Sequence, residues 1–315
     1  LLKLSMSFNT IPAFSMPDIQ KRDAETIAEL KLALSTHGFF TITDHGIADD
    51  VLESSYKLSK DFFSLPETIK NTYAHPEKAG ARGYTPYGKE TAVGETTPDL
   101  KEFWHHGPII DDSFDHRISE NIFVSEIPEF NDQFDILFKQ LNLLGMKVLS
   151  AIAIILGKEA SFFDAWALKG NSILRLIHYP PVPDSSNILR ARAHEDINLI
   201  TLLVGATADG LEVQDHDGSW ISIKGHHEHI IVDTGDMIQN LTNGLFKATT
   251  HRVVNPKDAT GDRYSMPLFV HPRNEIDLTP RPEFIERTGG VVKYPSITAG
   301  EYLQQRLSEI GLKKV

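Results

Sequence analysis

The chain has 315 residues, which is enough for one large domain with a substantial core. Its formal net charge of −12 argues against a nucleic-acid partner, because phosphate backbones bind basic surfaces. The sequence has no cysteine, which excludes disulfides, thiolate metal sites, iron–sulfur clusters and a cysteine nucleophile.

The sequence carries no signal that favours a membrane or an export route. No apolar run reaches the ~20 residues that a membrane-spanning helix needs. Residues 1–5 are too short for the apolar region of a signal peptide. We therefore expect a cytoplasmic protein whose partner is a small molecule and not a membrane.

The N-terminal part is predicted to alternate helix and strand. Asp23 is placed to cap a helix that runs to about His37, with apolar residues on one face. Residues 39–43 are typical of a strand, and a second amphipathic helix ends before Pro66. Residues 71–98 are rich in Gly, Pro, Thr and charged residues, and we predict a loop there.

The central helix has the clearest pattern in the chain. Apolar residues keep helical spacing from Phe134 to Ile155, over roughly seven turns. From about residue 172 the pattern alternates, which favours short strands in a sandwich or jelly roll. Asp217 and Gly218 predict a hairpin turn, and a last helix is expected at about 298–310. The predicted strands are 173–179, 199–204, 210–214, 220–223, 230–232, 247–254 and 263–270.

A candidate metal site lies in the sequence His194-Glu195-Asp196. Side chains two residues apart in a strand share a face, so His194 and Asp196 would point the same way and Glu195 away. The β-branched and apolar residues 197–204 favour that strand, and a later strand-like run could bring His251 alongside. Two histidines and one carboxylate suit non-haem Fe(II), with open positions for O2 and a chelating 2-oxo acid.

A candidate carboxylate site follows His251 on the next predicted strand. Arg263 and Ser265 are two residues apart and would share a strand face. A guanidinium binds a carboxylate through two parallel hydrogen bonds, and a hydroxyl adds a third. We therefore expect this pair to bind the far carboxylate of 2-oxoglutarate as cosubstrate.

These motifs resemble the 2-oxoglutarate- and Fe(II)-dependent oxygenases of the isopenicillin N synthase-like group. The resemblance rests on His194-x-Asp196, His251 and Arg263-x-Ser265, and it extends over nearly the whole chain. It implies a distorted double-stranded β-helix, or jelly roll, with iron in its mouth. It also implies decarboxylation of 2-oxoglutarate to succinate and CO2, coupled to oxidation of a small-molecule substrate, with hydroxylation expected. Further matching segments are 38–40, 45–47, 62–66, 83–84, 99–102 and 235–253.

The expected fold is therefore mainly β with a helical layer: a jelly-roll core with an N-terminal α/β extension and a C-terminal helix. The predicted parts are an N-terminal helical layer of the non-haem dioxygenase type at 6–125, a long supporting helix and connection at 126–170, the Fe(II)/2-oxoglutarate core at 171–275, and a C-terminal tail and helix at 276–315.

One position departs from the pattern of this group. The group often has Asn-Tyr-Tyr-Pro before the ligands, and this chain has Ile177-His178-Tyr179-Pro180. Tyr179 keeps its hydroxyl and is expected to assist in cosubstrate binding. Ile177 replaces the asparagine, so one polar contact of the group is missing.

Other functions share parts of this pattern. Arg-x-Ser also occurs in the isopenicillin N synthase branch, where it holds a tripeptide carboxylate and no 2-oxoglutarate is used. The C-terminus here lacks the Gln-Thr end of that branch, so the 2-oxoglutarate interpretation is favoured. Desaturation, ring closure and an ethylene-forming reaction would use the same iron centre, and a non-enzymatic metal and 2-oxoglutarate sensor would keep the same ligands.

Candidate substrate-pocket residues come from three segments. Arg82 and Tyr84 lie in the predicted loop, which the resembling group places over the active site. Phe103 and His105 precede the central helix, near the expected pocket mouth, and Phe269 lies on the Arg263 strand.

Two further features have simpler interpretations. The dense cluster 226–229, with three histidines and one glutamate, is interpreted as a solvated loop and not as a metal site. Arg190 and Arg192 precede the ligand motif; contact with an acidic substrate is one interpretation, and exposure to solvent is the preferred one for both.

Overall fold

The computed structural model describes residues 11–75, 77, 80–90, 98–181, 189–215, 217–224, 228–255 and 261–309. Its helices are α1 Met16–Lys21, α2 Ala24–Thr36, α3 Asp49–Phe63, α4 Glu67–Lys70, α5 Phe130–Ile155, α6 Asp164–Ala167, α7 Asp236–Leu241, α8 Pro282–Arg287 and α9 Ala299–Glu309, with a 3₁₀ turn at Asn71–Tyr73. Its strands are β1 Ala13–Ser15, β2 Phe39–Thr43, β3 Gly83–Thr85, β4 Glu102–His106, β5 Ile173–Tyr179, β6 Leu189–His194, β7 Ile200–Val204, β8 Leu211–Gln214, β9 Trp220–Ile223, β10 Ile230–Thr234, β11 His251–Val254 and β12 Arg263–Val270.

The described strands form a large and a small sheet. The large sheet has the order β1-β2-β10-β7-β12-β5-β4-β3, and the small one has the order β6-β11-β8-β9. Apolar clusters lie between the sheets and contain residues from both, such as Ile177 with Val253 and Ile231 with Val213. This is the jelly-roll core with helices that the sequence predicts, so the predicted fold class is confirmed.

The helices cover the outer face of the large sheet. Alternate residues of its strands point away from the small sheet and join the main core, for example Leu174 and Leu176 of β5. The helix α5 packs against β4, β7 and β12 and contributes the largest share of buried residues. Among the described helices, α5 alone is long and apolar enough to cross a membrane, but 56% of its most apolar stretch is buried inside the protein.

The N-terminal predictions agree closely with the structure. The Asp23 carboxylate accepts a hydrogen bond from the Thr26 N–H at 2.9 Å and so caps α2. Gly38 ends that helix at φ +64°, a conformation that glycine adopts without strain, and its N–H bonds to the Ala33 carbonyl.

The expected strand through the ligand motif is wrong. Strand β6 ends at His194 and β7 begins at Ile200, so Asp196 lies in the connection between them. The backbone groups of this connection form hydrogen bonds outside the β6 ladder. The Asp196 carbonyl accepts from the Asp236 N–H at 2.7 Å, and the Leu199 N–H donates to the Val270 carbonyl.

Two other boundaries also differ from the expectation. The predicted strand 247–254 begins only at His251, because the backbone before it bonds to side chains; the Ala248 N–H donates to the Gln239 side chain at 3.0 Å. The predicted loop 71–98 contains the 3₁₀ turn and β3, a three-residue edge strand too short to show a period. Residues 91–97 of that loop lie outside the described residues.

The stability of the fold should depend on the buried face of α5. Leu141 is fully buried and Leu143, two residues later, is 53% exposed. We expect Leu141→Ala to lower the free energy of unfolding by about 2–5 kcal/mol, because it leaves a cavity. Leu143→Ala, the matched control, should change it by no more than ~0.5 kcal/mol. Urea denaturation followed by circular dichroism measures both, and equal effects would contradict this packing.

Candidate metal centre and adjoining cavities

The histidines of the candidate site face each other across two paired strands. His194 is the last residue of β6 and His251 is the first residue of β11, and the two are direct partners in the antiparallel register. Their ring centres are 4.4 Å apart. Asp196, two residues past the end of β6, turns back toward the same point.

These three side chains form a ligand set for a metal ion. Asp196 Oδ1 lies 3.9 Å from Nε2 of His194 and 3.7 Å from Nε2 of His251. All three candidate ligand atoms lie within 4.8 Å of one another. Two imidazole nitrogens and one carboxylate oxygen on one side of a cavity fit non-haem Fe(II).

Hydrogen bonds orient each ligand. Nδ1 of His194 lies 2.7 Å from the Arg192 carbonyl, and Nδ1 of His251 lies 3.1 Å from the Thr249 carbonyl. A carbonyl can only accept, so Nδ1 carries the proton and Nε2 presents a lone pair to the metal. The Thr201 hydroxyl donates to Oδ2 of Asp196 and leaves Oδ1 toward the imidazoles.

The electrostatic environment of the site favours the neutral imidazole that binds a metal cation. Burial lowers the pKa of His194 to about 4, and the neighbouring His251 lowers it in the same direction. Neutral imidazole is the form that binds metal. Burial also raises the pKa of Asp233, deeper in the core, well above its usual value, and the charge of Asp196 adds to that effect.

A small inner cavity of about 60 Å³ extends from the ligands into the space between the sheets. Arg263, only 2% exposed, lies at its wall with Ser265 and Tyr179. Arg263 Nε donates to the Ala208 carbonyl at 3.1 Å, and its Nη1 has no hydrogen-bond partner among the described residues. Register explains the grouping, because Arg263 pairs with Tyr179 across the strands and Ser265 pairs with Ile177.

The inner cavity is therefore suited to a carboxylate. An unpaired N–H of a buried guanidinium costs free energy that an anionic oxygen would recover. Ile177 lines the same cavity as an apolar group, where the resembling proteins often have asparagine. Polar recognition is thus concentrated at the Arg263 end.

A larger outer cavity of about 310 Å³ adjoins the inner one, and both are lined by His194 and Asp196. Of the five sequence-predicted pocket residues, His105 and Phe269 lie on its wall. The other predicted residues do not line it. The Tyr84 hydroxyl donates to Glu102 beneath the sheet, and Arg82 is buried against Gly107.

Phe103 is also displaced from the outer cavity. It lies in the apolar cluster between the sheets, and the guanidinium of Arg175 covers its ring at 4.1 Å. Arg175, which sequence reasoning did not assign to the site, takes the place at the cavity wall. The sequence could have indicated this position, because Arg175, Ile177 and Tyr179 alternate along β5 and therefore share a strand face with the expected cosubstrate residue.

Other residues of the outer cavity could not have been assigned to it from a sequence pattern. His271 follows β12, and Leu303, Arg306 and Leu307 belong to the C-terminal helix α9. Nothing in the spacing of α9 shows that this helix reaches the metal centre, because its position depends on tertiary packing.

Two remaining expectations have different outcomes. Arg190, expected in solvent, is 1% exposed and donates to the Gly261 carbonyl at 2.8 Å, so that expectation is wrong. In the 226–229 cluster, His226 and His227 lie outside the described residues.

Comparison with known proteins identifies the family. Residues 170–272 match the 2OG-Fe(II) oxygenase superfamily, and residues 11–126 match the N-terminal family described as non-haem dioxygenase in morphine synthesis. A 2-oxoglutarate-Fe(II) type oxidoreductase of Metarhizium rileyi is 32% identical over 89% of this chain and 84% of the relative. A proline hydroxylase of Petromyces alliaceus is 32% identical over 91% of this chain and 93% of the relative.

Solved structures agree in both fold and sequence. A 2OG-Fe(II) oxygenase family protein from Caulobacter crescentus is 39% identical, with a TM-score of 0.85 over 95% of this chain and 99% of that chain. A Neurospora crassa protein in complex with alpha-KG and thymine is 28% identical, with a TM-score of 0.83 over 95% of this chain and 96% of that chain. The chain therefore belongs to the 2OG-Fe(II) oxygenase superfamily, and it is a 2-oxoglutarate-dependent dioxygenase with Fe(II) and 2-oxoglutarate as cofactor and cosubstrate.

Proposed function

We propose that this dioxygenase hydroxylates a small molecule held in the outer cavity, with 2-oxoglutarate in the inner one. His194, Asp196 and His251 would hold Fe(II), and Arg263 with Ser265 would bind the far carboxylate of 2-oxoglutarate. The observation that carries the proposal is that the two cavities share His194 and Asp196 in their walls. Cosubstrate and substrate would then reach the same metal from two adjoining cavities.

Each residue has a defined part in this arrangement. When bound, Fe(II) would supply the centre at which O2 and the 2-oxo acid react to give succinate and CO2. The Thr201 hydroxyl fixes which carboxylate oxygen of Asp196 faces the metal site. The ring of Phe39 packs edge-on against His251 at 5.6 Å and restricts the imidazole.

The inner cavity would hold the cosubstrate in a fixed orientation. The unpartnered Nη1 of Arg263 and the buried hydroxyl of Ser265 can both donate to a carboxylate. Tyr179 lies beside them, with its ring centre 5.0 Å from Cζ of Arg263. The apolar clusters on either side of the cavity exclude water and so strengthen these bonds.

The size of the outer cavity supports a small-molecule substrate. The Neurospora crassa relative binds thymine, and another relative is named as a proline hydroxylase. Ligands of that size suit a cavity of about 310 Å³. Neither an oxidase independent of 2-oxoglutarate, an ethylene-forming reaction nor a non-enzymatic sensor is favoured by these relatives.

Loss of a metal ligand should abolish both iron binding and turnover. We expect His194→Ala and Asp196→Ala to bind Fe(II) at least ~100-fold more weakly, because removal of even an outer partner of a ligand costs ~10–100-fold. Iron content and succinate released from 2-oxoglutarate measure this result. His116→Ala is the matched control, since that side chain is 93% exposed, and it should behave as the unsubstituted protein. Normal 2-oxoglutarate consumption by Asp196→Ala would refute the ligand assignment.

Loss of the Arg263 guanidinium should weaken the binding of 2-oxoglutarate and leave the binding of Fe(II) unchanged. We expect Arg263→Ala to raise the KM for 2-oxoglutarate by roughly 10–100-fold, the equivalent of one charge-assisted interaction. Fe(II) binding should stay nearly unchanged. Arg273→Ala removes an exposed arginine paired with Glu275 and is the matched control. An unchanged KM for Arg263→Ala, or oxygen uptake independent of 2-oxoglutarate, would contradict this role.

A further inference from the structure

We propose that the outer cavity selects an electrically neutral substrate, whose N–H or O–H group donates a hydrogen bond to Nε2 of His271. This inference rests on the proposed function, because it concerns the substrate of the same metal centre. It depends on three features of the cavity: an unpaired acceptor, cations that already have partners, and an apolar wall.

The unpaired acceptor is on His271, which is 6% exposed and lines the outer cavity. Its Nδ1 lies 3.3 Å from the Phe269 carbonyl, which can only accept, so the proton of the neutral ring is on Nδ1. Its Nε2 is buried and has no hydrogen-bond partner in the part of the chain that the structure describes. A buried acceptor without a donor destabilises the free protein, and a substrate donor would recover that cost.

The electrostatic surroundings keep this imidazole neutral. Burial, opposed by the hydrogen bond to the Phe269 carbonyl, lowers the pKa of His271 to about 4. The negative charge of Asp196 also raises this pKa, and the positive charges of Arg175 and Arg82 lower it. Near neutral pH, His271 therefore offers a lone pair, and a substrate group must be the donor.

The cations of the cavity wall are not available to a carboxylate substrate. Arg175 makes two contacts of 3.1 Å with Glu90 and donates to Nε2 of His105 at 2.7 Å. Lys101 lies 2.7 Å from Glu90 and 2.9 Å from Asp99. Two cations and two carboxylates thus balance one another within this network.

The third cation of the wall is also paired. The Arg306 guanidinium on α9 lies 2.9 Å from Glu309 and 3.4 Å from Asp236 through its two Nη atoms, and its buried Nε has no hydrogen-bond partner among the described residues. Glu195 was expected to point away from the ligands, but it lines the same cavity, because the chain leaves the strand after His194. Its carboxylate accepts a hydrogen bond from the Thr250 hydroxyl at 3.1 Å and would repel an anion. The charge of each cation is already balanced by a carboxylate, so an anionic substrate would gain a full ion pair only by displacing one of these partners.

The apolar wall completes the selection. Phe269 and Ile173 come from the large sheet, and Leu303 and Leu307 come from α9. These side chains favour a compact body with little charge, because desolvating a charged group beside them would be costly. The cavity therefore fits a neutral molecule such as a lactam, an imide or an alcohol.

Equilibrium binding without turnover tests the proposal. Protein loaded with Fe(II) and 2-oxoglutarate is titrated calorimetrically in the absence of oxygen. The neutral probes are uracil and 2-piperidone, and their N-methylated counterparts lack the donor. Benzoate and piperidinium represent anionic and cationic substrates. We expect the N–H compounds to bind roughly tenfold more tightly than the N-methyl compounds, as one hydrogen bond predicts, and the ions to bind most weakly.

Variants of His271 distinguish a role as hydrogen-bond acceptor from a role in the shape of the cavity. His271→Phe keeps a planar ring and removes the acceptor, so the roughly tenfold preference for N–H over N-methyl compounds should disappear. His271→Gln returns an acceptor and should restore part of that preference. A purely structural role would weaken both kinds of compound equally. Retained binding of Fe(II) and 2-oxoglutarate shows that each variant is folded.

Several results would overturn the inference. Tighter binding of benzoate or piperidinium would show that charge selects the substrate. Failure of every N–H compound to bind the loaded protein, or an unchanged preference in His271→Phe, would remove the role of His271. Failure to load Fe(II) or 2-oxoglutarate at all would instead refute the proposed function, so the two failures are distinct.

Discussion

The antiparallel pairing of His194 with His251 is the constraint on which the site depends. Side chains alternate between the faces of a strand, so a shift of one residue in the β6–β11 register would turn one imidazole away from the cavity. The register is irregular immediately after this pair, where β6 and β11 shift relative to each other. The regular pair therefore stands at the end of the ladder, where the chain can leave the sheet and return Asp196 to the same point. A carboxylate inside a continuous strand would not have had this freedom.

The polar groups of the site lie inside an otherwise apolar sandwich, and each is stabilised by a specific partner. Burial alone would raise the pKa of Glu90, but the charges of Arg175 and Lys101 outweigh it and hold that pKa well below its usual range. Burial likewise lowers the pKa of Lys101, but the negative charges of Glu90 and Asp99 outweigh burial and raise that pKa above its usual value. Such a network is costly to assemble and costly to disrupt, because removal of one member leaves a buried charge unpaired. The network lines the same cavity as His194 and Asp196.

The sequence was most informative where one local pattern decides the structure. Helix α2 follows from its cap at Asp23 and its stop at Gly38, and β12 follows from alternation over residues 263–270. The metal triad also came from the sequence, although the predicted strand through Asp196 is wrong and the grouping depends on a connection. Tertiary packing decided the rest. Tyr84, on a short edge strand, turned toward Glu102 because a buried carboxylate and the aromatic core lie beneath the sheet. No periodicity in the sequence contains that information.

The two cavities share strand residues, but only the outer one also contains residues of a helix. The inner cavity is formed mainly by strands of the two sheets, whose registers fix Arg263 opposite Tyr179. The outer cavity adds helix α9, which is attached by the bond from the Tyr302 hydroxyl to Asp236 at 2.9 Å. The N–H of Asp236 in turn donates to the carbonyl of Asp196. The C-terminal helix and a metal ligand thus share one anchor, while the apolar face of α9 is free to differ in shape. The β core therefore supplies the residues around the metal centre, and α9 adds apolar side chains to one part of the outer cavity.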